Sequence, residues 1–491
     1  MEFVQGTDRM QTALFPESIE DFITDENHVR VIDTYVNSLD LRALGFARHI
    51  PNDTGRPSYD PKCLLKLWIY GYMNRIRTTR RLEAEAGRNI EVMWLLERLT
   101  PDHNTLWRFR NENPKALKAV FRDFVRLCCS FGLYGADVVA VDGSKFKAVN
   151  ARARNYNKQK LEELMGRIDE NIDKYFAMLD KADAEDDDKG VAGLSAEQIK
   201  AILEELASRK EKYAGYLDEL EETGQRQMSL TDPDSRLMMA NGKLEVGYNV
   251  QTAVDAKNNL IAEFEVTNNP IDKNLLSPMV QAAAEILGSE HLDALADTGY
   301  QSASDIAQCI RDGHTPHVPG DDYDICIPAE DGRGEKIESH TNGKSVYIPE
   351  RNIAICPMGQ VLYPRSHNKK NRRARFNNLK ACKGCTCKCT KAESYTFERE
   401  MCKEDFSTDY DDTGLEVRKV QVRRDKELFR RRKAMVEHPF GTVKRGMQSD
   451  FCVTKGLESV NGEFSLLFFS YNLKRVMNIL GVKGLLAAIA A

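Results

Sequence analysis

Three acids in this chain of 491 residues stand where a carboxylate can do chemistry. Asp142 ends the β-branched run Asp137-Val138-Val139-Ala140-Val141-Asp142, just before Gly143-Ser144. Asp297 follows the short apolar stretch Leu292–Ala296 and precedes Thr298-Gly299-Tyr300. Glu437 lies in a stretch of helical character. Lys444, seven residues on, falls two helical turns away on the same face, in position to hold a phosphate. Mg²⁺ or Mn²⁺ is held by a few carboxylates together with water and phosphate oxygens, not by a full protein cage. Acids converging from separate segments are therefore the expected signature of a site that activates an oxygen nucleophile and neutralises the leaving oxygen of a phosphodiester. Each acid taken alone is a weak signal. A lone Asp at a strand end is more often a cap or turn residue, and Asp255, Asp272 and Asp293 rival Asp297 for the second position.

A second constellation is built from sulfur. Cys382, Cys385, Cys387 and Cys389 fall within eight residues, and Cys382-Lys383-Gly384-Cys385 offers the short C-x₂-C bite. Cys356-Pro357-Met358-Gly359 resembles one arm of a zinc knuckle, although it lacks its second cysteine. Four thiolates favour structural Zn²⁺, with Cys356, Cys382, Cys385 and Cys389 as the preferred set and Cys387, Cys402 and His367 as alternates. The other reading is reduced cysteines packed without metal. Twelve cysteines in so long a chain do not make a secreted disulfide scaffold, and the cluster points to a reducing cytosol.

Charge is distributed unevenly. The formal net charge is only −5, but acids gather around Asp169–Lys189, and Arg and Lys crowd Arg365–Arg375 and Arg418–Lys433. The run Arg430-Arg431-Arg432-Lys433 leads straight into the Glu437 segment, where it could track phosphates. Arg75-Ile76-Arg77-Thr78 makes a second basic step between two helical stretches, compatible with a helix-turn-helix reader of DNA or with a plain helical bundle. Met1–Gly6 has no basic segment followed by an apolar core, so no signal peptide is expected. No run approaches the roughly 18 apolar residues of a membrane span.

The elements that must position these residues follow from periodicity. Residues 1–132 read as an all-α N-terminal domain, with helices over Lys62–Asn74 (opened by Pro61 after Asp60), Thr79–Ala86, Glu91–Leu99 and Pro101–Phe109. Strands are expected at Asp137–Asp142, Val246–Asp255, Leu260–Thr267 and Leu292–Ala296, with a helix over Asn274–Leu287 between the last two. This α/β order, with acids at strand ends, fits an RNase H-like core made discontinuously from residues 133–150, 226–319 and 426–480. Two insertions interrupt it. Residues 151–225 carry apolar positions every three or four residues on both sides of Asp186-Asp187-Asp188-Lys189-Gly190, which predicts an antiparallel helical hairpin serving as a packing arm, a dimer contact or, equally, a solvated strut with no partner. Residues 320–425 form a Cys-rich basic insertion with few strongly periodic segments.

Four of these stretches resemble the DDE transposases of bacterial insertion sequences: Val141-Asp142-Gly143-Ser144, Gly247–Asp255, Ala296-Asp297-Thr298-Gly299-Tyr300 and Val436–Lys444. The segment from Tyr59 to Arg110 resembles the helical domain that precedes the core in one branch of that family, so the resemblance covers nearly the whole chain. It implies metal-dependent cleavage of DNA at terminal inverted repeats and joining of the freed 3′-hydroxyl to target DNA, in the cytoplasm. Asp142, Asp297 and Glu437 would be the catalytic set, and a dimer or higher oligomer would pair the two ends. Relatives often carry Tyr and Arg seven and four residues before the third acid. Here those positions hold Arg430 and Lys433, while Lys444 matches. The competing expectations are a nuclease that cuts without joining, a catalytically silent DNA-binding regulator and a structural zinc scaffold.

Overall fold

A computed structural model of the chain describes residues 18–48, 58–185, 196–240, 242–319, 345–348, 353–368, 373–385, 395–400 and 426–490. The fold is mixed α/β with a helical N-terminal region. Six helices come first: α1 (His28–Ser38), α2 (Pro61–Met73), α3 (Thr79–Ala86), α4 (Ile90–Leu95), α5 (His103–Glu112) and α6 (Pro114–Ser130). Their starts are chemically marked. Asn27, Asp60, Asn89 and Asp102 each accept a backbone N–H of the first turn, and Pro61 and Pro114 occupy first-turn positions where no donor is needed. α2 is the centre of this region. Leu64, Leu65, Trp68, Ile69 and Tyr72 are buried as their spacing predicts, but Cys63, Leu67 and Tyr70 are buried as well. The second face is covered because α2 also packs against the last helix of the chain.

The main sheet is laid down by β1 (Val138–Lys147), β4 (Arg236–Ala240), β5 (Lys243–Asp255), β6 (Ile261–Thr267), β7 (Asp293–Leu295) and β8 (Thr315–His317). The short strands β2 (Asn155–Tyr156) and β3 (Met228–Ser229) pair separately. In the main sheet β5 is antiparallel to β1 on one side and to β4 and β6 on the other, while β1–β7 and β7–β8 are parallel. The helices α9 (Leu276–Leu287) and α10 (Ala303–Arg311) make the crossovers into β7 and β8. Alternation along β1 sends Val139 and Val141 into the main apolar core and Ala140 to the opposite face. There Ala140 and Leu295 of β7 meet Met435 and Val436 of α12 (Lys426–Gly441).

β1 differs from its expected extent. It continues five residues past Asp142 to Lys147, pairing with β5 throughout. Gly143, which reads as a strand boundary, is instead a point of close approach. A Cβ there would collide with the Gln251 amide and stand 2.7 Å from Asp272 Oδ1.

Between β2 and β3 rise α7 (Lys158–Glu185) and α8 (Ala196–Thr223). Lys158 pairs with Glu221 at 2.8 Å and Lys210 with Asp169 at 2.6 Å, so the two helices run antiparallel. The expected link around Asp186–Gly190 lies outside the described residues. Farther along, β9 (Val346–Ile348), β10 (Ile353–Ile355), β11 (Val361–Asn368), β12 (Arg373–Asn377) and β13 (Thr396–Glu400) form an antiparallel sheet in sequential order, with the short helix α11 (Leu379–Lys383) after β12. This sheet departs from the expectation of weak periodicity. In β12, Ala374 and Phe376 are buried while Arg373 and Arg375 face out to Glu398, so a true period of two is masked by the density of arginines.

The last helix, α13 (Leu457–Ala490, with a non-helical break at Gly481), runs between the helical region and the sheet. Phe464, Phe468 and Phe469 pack against Phe146, Phe264 and Phe124. Asn472 accepts from the Ile261 N–H and donates to the Ile261 carbonyl, satisfying β6 as a neighbouring strand would. One buried ion pair ties the regions together. Arg77 donates to Glu463 at 2.6 Å and also reaches the Phe451 carbonyl, while Glu463 accepts from Val453, Thr454 and the Thr454 hydroxyl. Arg77 is thus an internal tether rather than a DNA contact, a correction to its sequence reading. Glu463→Ala would leave Arg77 buried and uncompensated. We expect a loss of roughly 3–5 kcal/mol, read as a lowered thermal midpoint, with Glu463→Gln losing less. Equal stability of Glu463→Ala and wild type would show that Arg77 is reached by water.

Candidate active site

Two of the three acids are brought level by strand register. Ala140 of β1 lies opposite Leu295 of β7 in a parallel pairing, so Asp142 and Asp297, each two residues further, emerge on the same face of the sheet. That face is the one α12 covers. Both acids are half-buried. Asp297 is held by the backbone, its carboxylate accepting the Gly299 N–H at 2.7 Å at the start of the turn Thr298–Tyr300. Burial pushes the Asp142 carboxyl up to about 6. Arg432 pulls the other way, and the charges of Asp297 and Asp272 add to the rise.

Asp272 is the residue whose part the sequence leaves least visible. It accepts from Lys145 at 3.0 Å, Asn249 at 2.7 Å and Gln251 at 2.8 Å, all on the face of β1 and β5 opposite to Asp142. It reaches the same sheet end as Asp297. A Cβ on Gly299 would lie 2.9 Å from Asp297 Oδ1 and 3.6 Å from Asp272 Oδ2. Tyr300, fully buried, donates to Gln251, and burial together with Asp272, Asp142 and Asp297 raises its hydroxyl well above its usual range. The signal available in the sequence was the alternation Asn249-x-Gln251 on a strand otherwise buried by apolar residues. Polar side chains at strand spacing inside a core need a polar partner.

Glu437 is placed differently. It is 65% exposed and pairs with Lys433, one turn earlier, at 3.7 Å. The helix face turned to the sheet carries Arg432, Met435 and Val436, spaced i, i+3 and i+4, and Arg432 is the cation that acts on Asp142. Arg430 and Arg431 are exposed, as is Arg75. Pro439 lies inside α12, and the chain then widens into a π-helical turn, Thr442–Gly446. Lys444 therefore does not continue the α-helical face of Glu437 as the seven-residue spacing predicts. Its ammonium donates to Ser144 Oγ at 2.7 Å and to the Lys145 carbonyl at 2.9 Å, and it lies 4.4 Å from the centre of the Phe146 ring. Burial lowers its proton affinity, with Asp450 and Asp142 opposing that shift.

The cysteine set is only partly within view. Cys356 is buried among Tyr347, Ala354, Leu362 and Phe376 and accepts a bond from the Gln360 N–H, while Cys382 accepts one from Tyr395. Cys385 follows α11, and Cys387 and Cys389 lie outside the described residues. Among the described residues, no three or more His, Cys, Asp or Glu side chains are grouped closely enough to hold a metal ion. Of the zinc reading, only the apolar packing of Cys356 and these two N–H bonds are visible. No helix among the described residues is long and apolar enough to cross a membrane.

The raised Asp142 group has a consequence for stability. Its folded pKa lies above that of an unfolded aspartate, so the native state binds more protons between about pH 4 and 6. Stability should fall as pH rises through that window, by up to about 3 kcal/mol by pH 7. Asp142→Asn should remove most of that slope and raise the thermal midpoint at pH 7. Denaturant titrations at pH 4.5 and 7 check this, and an unchanged slope in the variant would assign the dependence to another group.

Two family models match the chain. One, a transposase domain (DUF772), covers residues 17–112, the helical region from the first turn through α5. The other, a transposase DDE domain, covers residues 355–477, from the small sheet through α12 and into α13. No curated protein and no solved structure matches the chain. A transposase domain followed by a transposase DDE domain in one polypeptide supports a DDE-type transposase of insertion-sequence type.

Proposed function

We propose that the chain binds the terminal inverted repeats of its own element, cleaves the DNA ends through Asp142, Asp297 and Glu437, and joins the freed 3′-hydroxyl to target DNA. The observation that carries this reading is the level placement of Asp142 and Asp297 on one sheet face, within a chain that bears both transposase domains. The strand order β6-β5-β1-β7-β8, antiparallel and then parallel, supports an RNase H-like core.

Two of these residues, Asp142 and Asp297, offer carboxylates from one sheet face to a divalent cation. Asp142 is held in a state that favours neutralisation, and Asp297 offers its carboxylate from a backbone-anchored turn. Two buried polar atoms beside Asp142, Thr252 Oγ1 across the strand pair and Arg432 Nη1, have no hydrogen-bond partner. Asp142 and Asp297 would hold Mg²⁺ or Mn²⁺, and Glu437 joins them on the strength of the family motif around it. The cation supplies an activated oxygen nucleophile and neutralises the leaving oxygen. Asp272, fixed by three donors, holds Lys145, Asn249 and Gln251 in place beneath the acids. Arg432 screens Asp142 until substrate arrives. Arg430 and Arg431, facing solvent beside the same helix, are free to meet backbone phosphates further along the duplex. Lys444 acts first as a tether between the π turn and β1, aligning the strand that carries Asp142.

On duplex DNA carrying the element ends, Asp142→Asn, Asp297→Asn and Glu437→Gln should each lower strand cleavage by about 1000-fold or more, the worth of roughly 4 kcal/mol at the transition state. End binding should stay within about twofold, because affinity comes from phosphate contacts elsewhere. Single-turnover cleavage and filter binding read the two effects apart. Cleavage retained in Asp297→Asn but lost in Asp272→Asn would move the second acid to Asp272. Cleavage without joining in the wild type would reduce the activity to that of a nuclease.

A further inference from the structure

The root of the hairpin α7–α8 carries a cleft that this catalytic reading leaves unused. Tyr156 of β2 faces Tyr213 and Tyr216 of α8, with its ring centre 5.7 Å from each and theirs 6.4 Å apart. The rings are inclined by 37–43° at contact distance, so they pack into one aromatic cluster, and because all three side chains are only half-buried its outer faces line the cleft. The cleft has a volume of about 300 Å³, at the lower end of the range for small-molecule pockets. Leu230, on its edge, is a large apolar side chain left 38% exposed. A root built only to pack would have closed over these groups.

The cations around the cleft fall into two kinds. Lys160 lies 4.6 Å from the Tyr156 ring centre, and its ammonium is taken up by the carbonyls of Ala153 and Asn155, so it fixes Tyr156 in place. Lys212 lies 6.0 Å from the Tyr216 ring centre, and Arg209, held by Glu205 at 2.8 Å, lines the wall. The acid in the wall is thus neutralised, while the aromatic floor keeps an ammonium beside it. Open π faces bordered by cations suit a ligand that is flat, aromatic and anionic. A nucleotide is all three. Stacking of a base on an aromatic side chain is worth about 1–3 kcal/mol and tolerates any sequence.

The cleft follows the Asp142 strand in the chain, with Tyr156 nine residues past Lys147, where that strand ends. We propose that this cleft holds an unpaired nucleotide of the DNA substrate, its base against Tyr156, Tyr213 and Tyr216 and a flanking phosphate on Lys212. The proposal rests on the DNA-end reading above and adds to it a single-stranded station away from the acids.

The test uses the full-length protein with oligo(dT) carrying 5-iododeoxyuridine, alongside a mixed-sequence duplex of the same length. Ultraviolet crosslinking followed by peptide mapping should place adducts on Tyr156, Tyr213 or Tyr216. Tyr213→Ala should weaken oligo(dT) binding by roughly 5- to 100-fold while duplex binding stays within twofold, and Tyr213→Phe should bind like the wild type, since the ring and not the hydroxyl does the work. Adducts confined to other segments, or a loss in Tyr213→Phe as large as in Tyr213→Ala, would overturn the proposal. Duplex binding without any oligo(dT) binding would overturn it and leave the end-binding reading standing. Binding of neither DNA would remove both.

Discussion

Carboxylates gathered at one end of a sheet repel one another, and the architecture around Asp142 is organised by how that repulsion is contained. At an effective dielectric constant near 20, two like charges 4 Å apart cost about 4 kcal/mol, more than a few surface contacts return. The cost is borne here by rigid elements. Parallel pairing of β1 with β7 fixes Asp142 and Asp297 on one face, and the turn after β7 fastens Asp297 to the Gly299 N–H. Cations then approach from both sides of the sheet, Arg432 over the face of Asp142 and Lys145 beneath it through Asp272. The Asp142 carboxyl is still pushed up to about 6, chiefly by burial, and Arg432 opposes that rise. A divalent cation would offset the carboxylate charge and, with it, that of a DNA phosphate.

The same economy of contacts explains how the helical region is held to the sheet. α13 packs against α2, α6 and β6 at once, and Glu463 within it anchors Arg77 from the turn between α2 and α3. The basic step after α2 is therefore split by function. Arg77 points inward and fixes the turn, while Arg75, with a left-handed backbone at φ 63°, stays exposed. To this packing the buried pair adds a fixed point for the turn after α2, stiff because both oxygens of Glu463 are used.

Much of this was legible in the sequence, because short β-branched runs read as buried strands and helix starts marked by Asp-Pro or Asn satisfy the first-turn donors. The expected position of Asp297 just past its strand, and those of α2, α3 and the hairpin helices, follow from local rules alone, whereas Asp142 lies inside a strand that runs on to Lys147. What escaped depended on partners distant in the chain. Gly143 reads as a stop until Asn249, Gln251 and Asp272 are brought against it. Arg430, Arg431 and Arg432 look alike as a basic run, yet only Arg432 shares the helix face of Met435 and Val436 and so turns toward Asp142. The seven-residue spacing of Glu437 and Lys444 assumed one unbroken α-helix, which Pro439 and the π turn do not provide.

The proposed service of one divalent cation by acids from three separate segments can be examined without any DNA. Fe²⁺ bound in place of Mg²⁺ generates hydroxyl radicals with ascorbate and peroxide, and these cut the backbone beside the metal. The account expects scission of the native protein at three points far apart in sequence, near residues 142, 297 and 437, all suppressed by excess Mg²⁺ and by Asp142→Asn. Scission near 142 and 297 without 437 would contradict the inclusion of Glu437, and scission only elsewhere in the chain would contradict the shared site altogether.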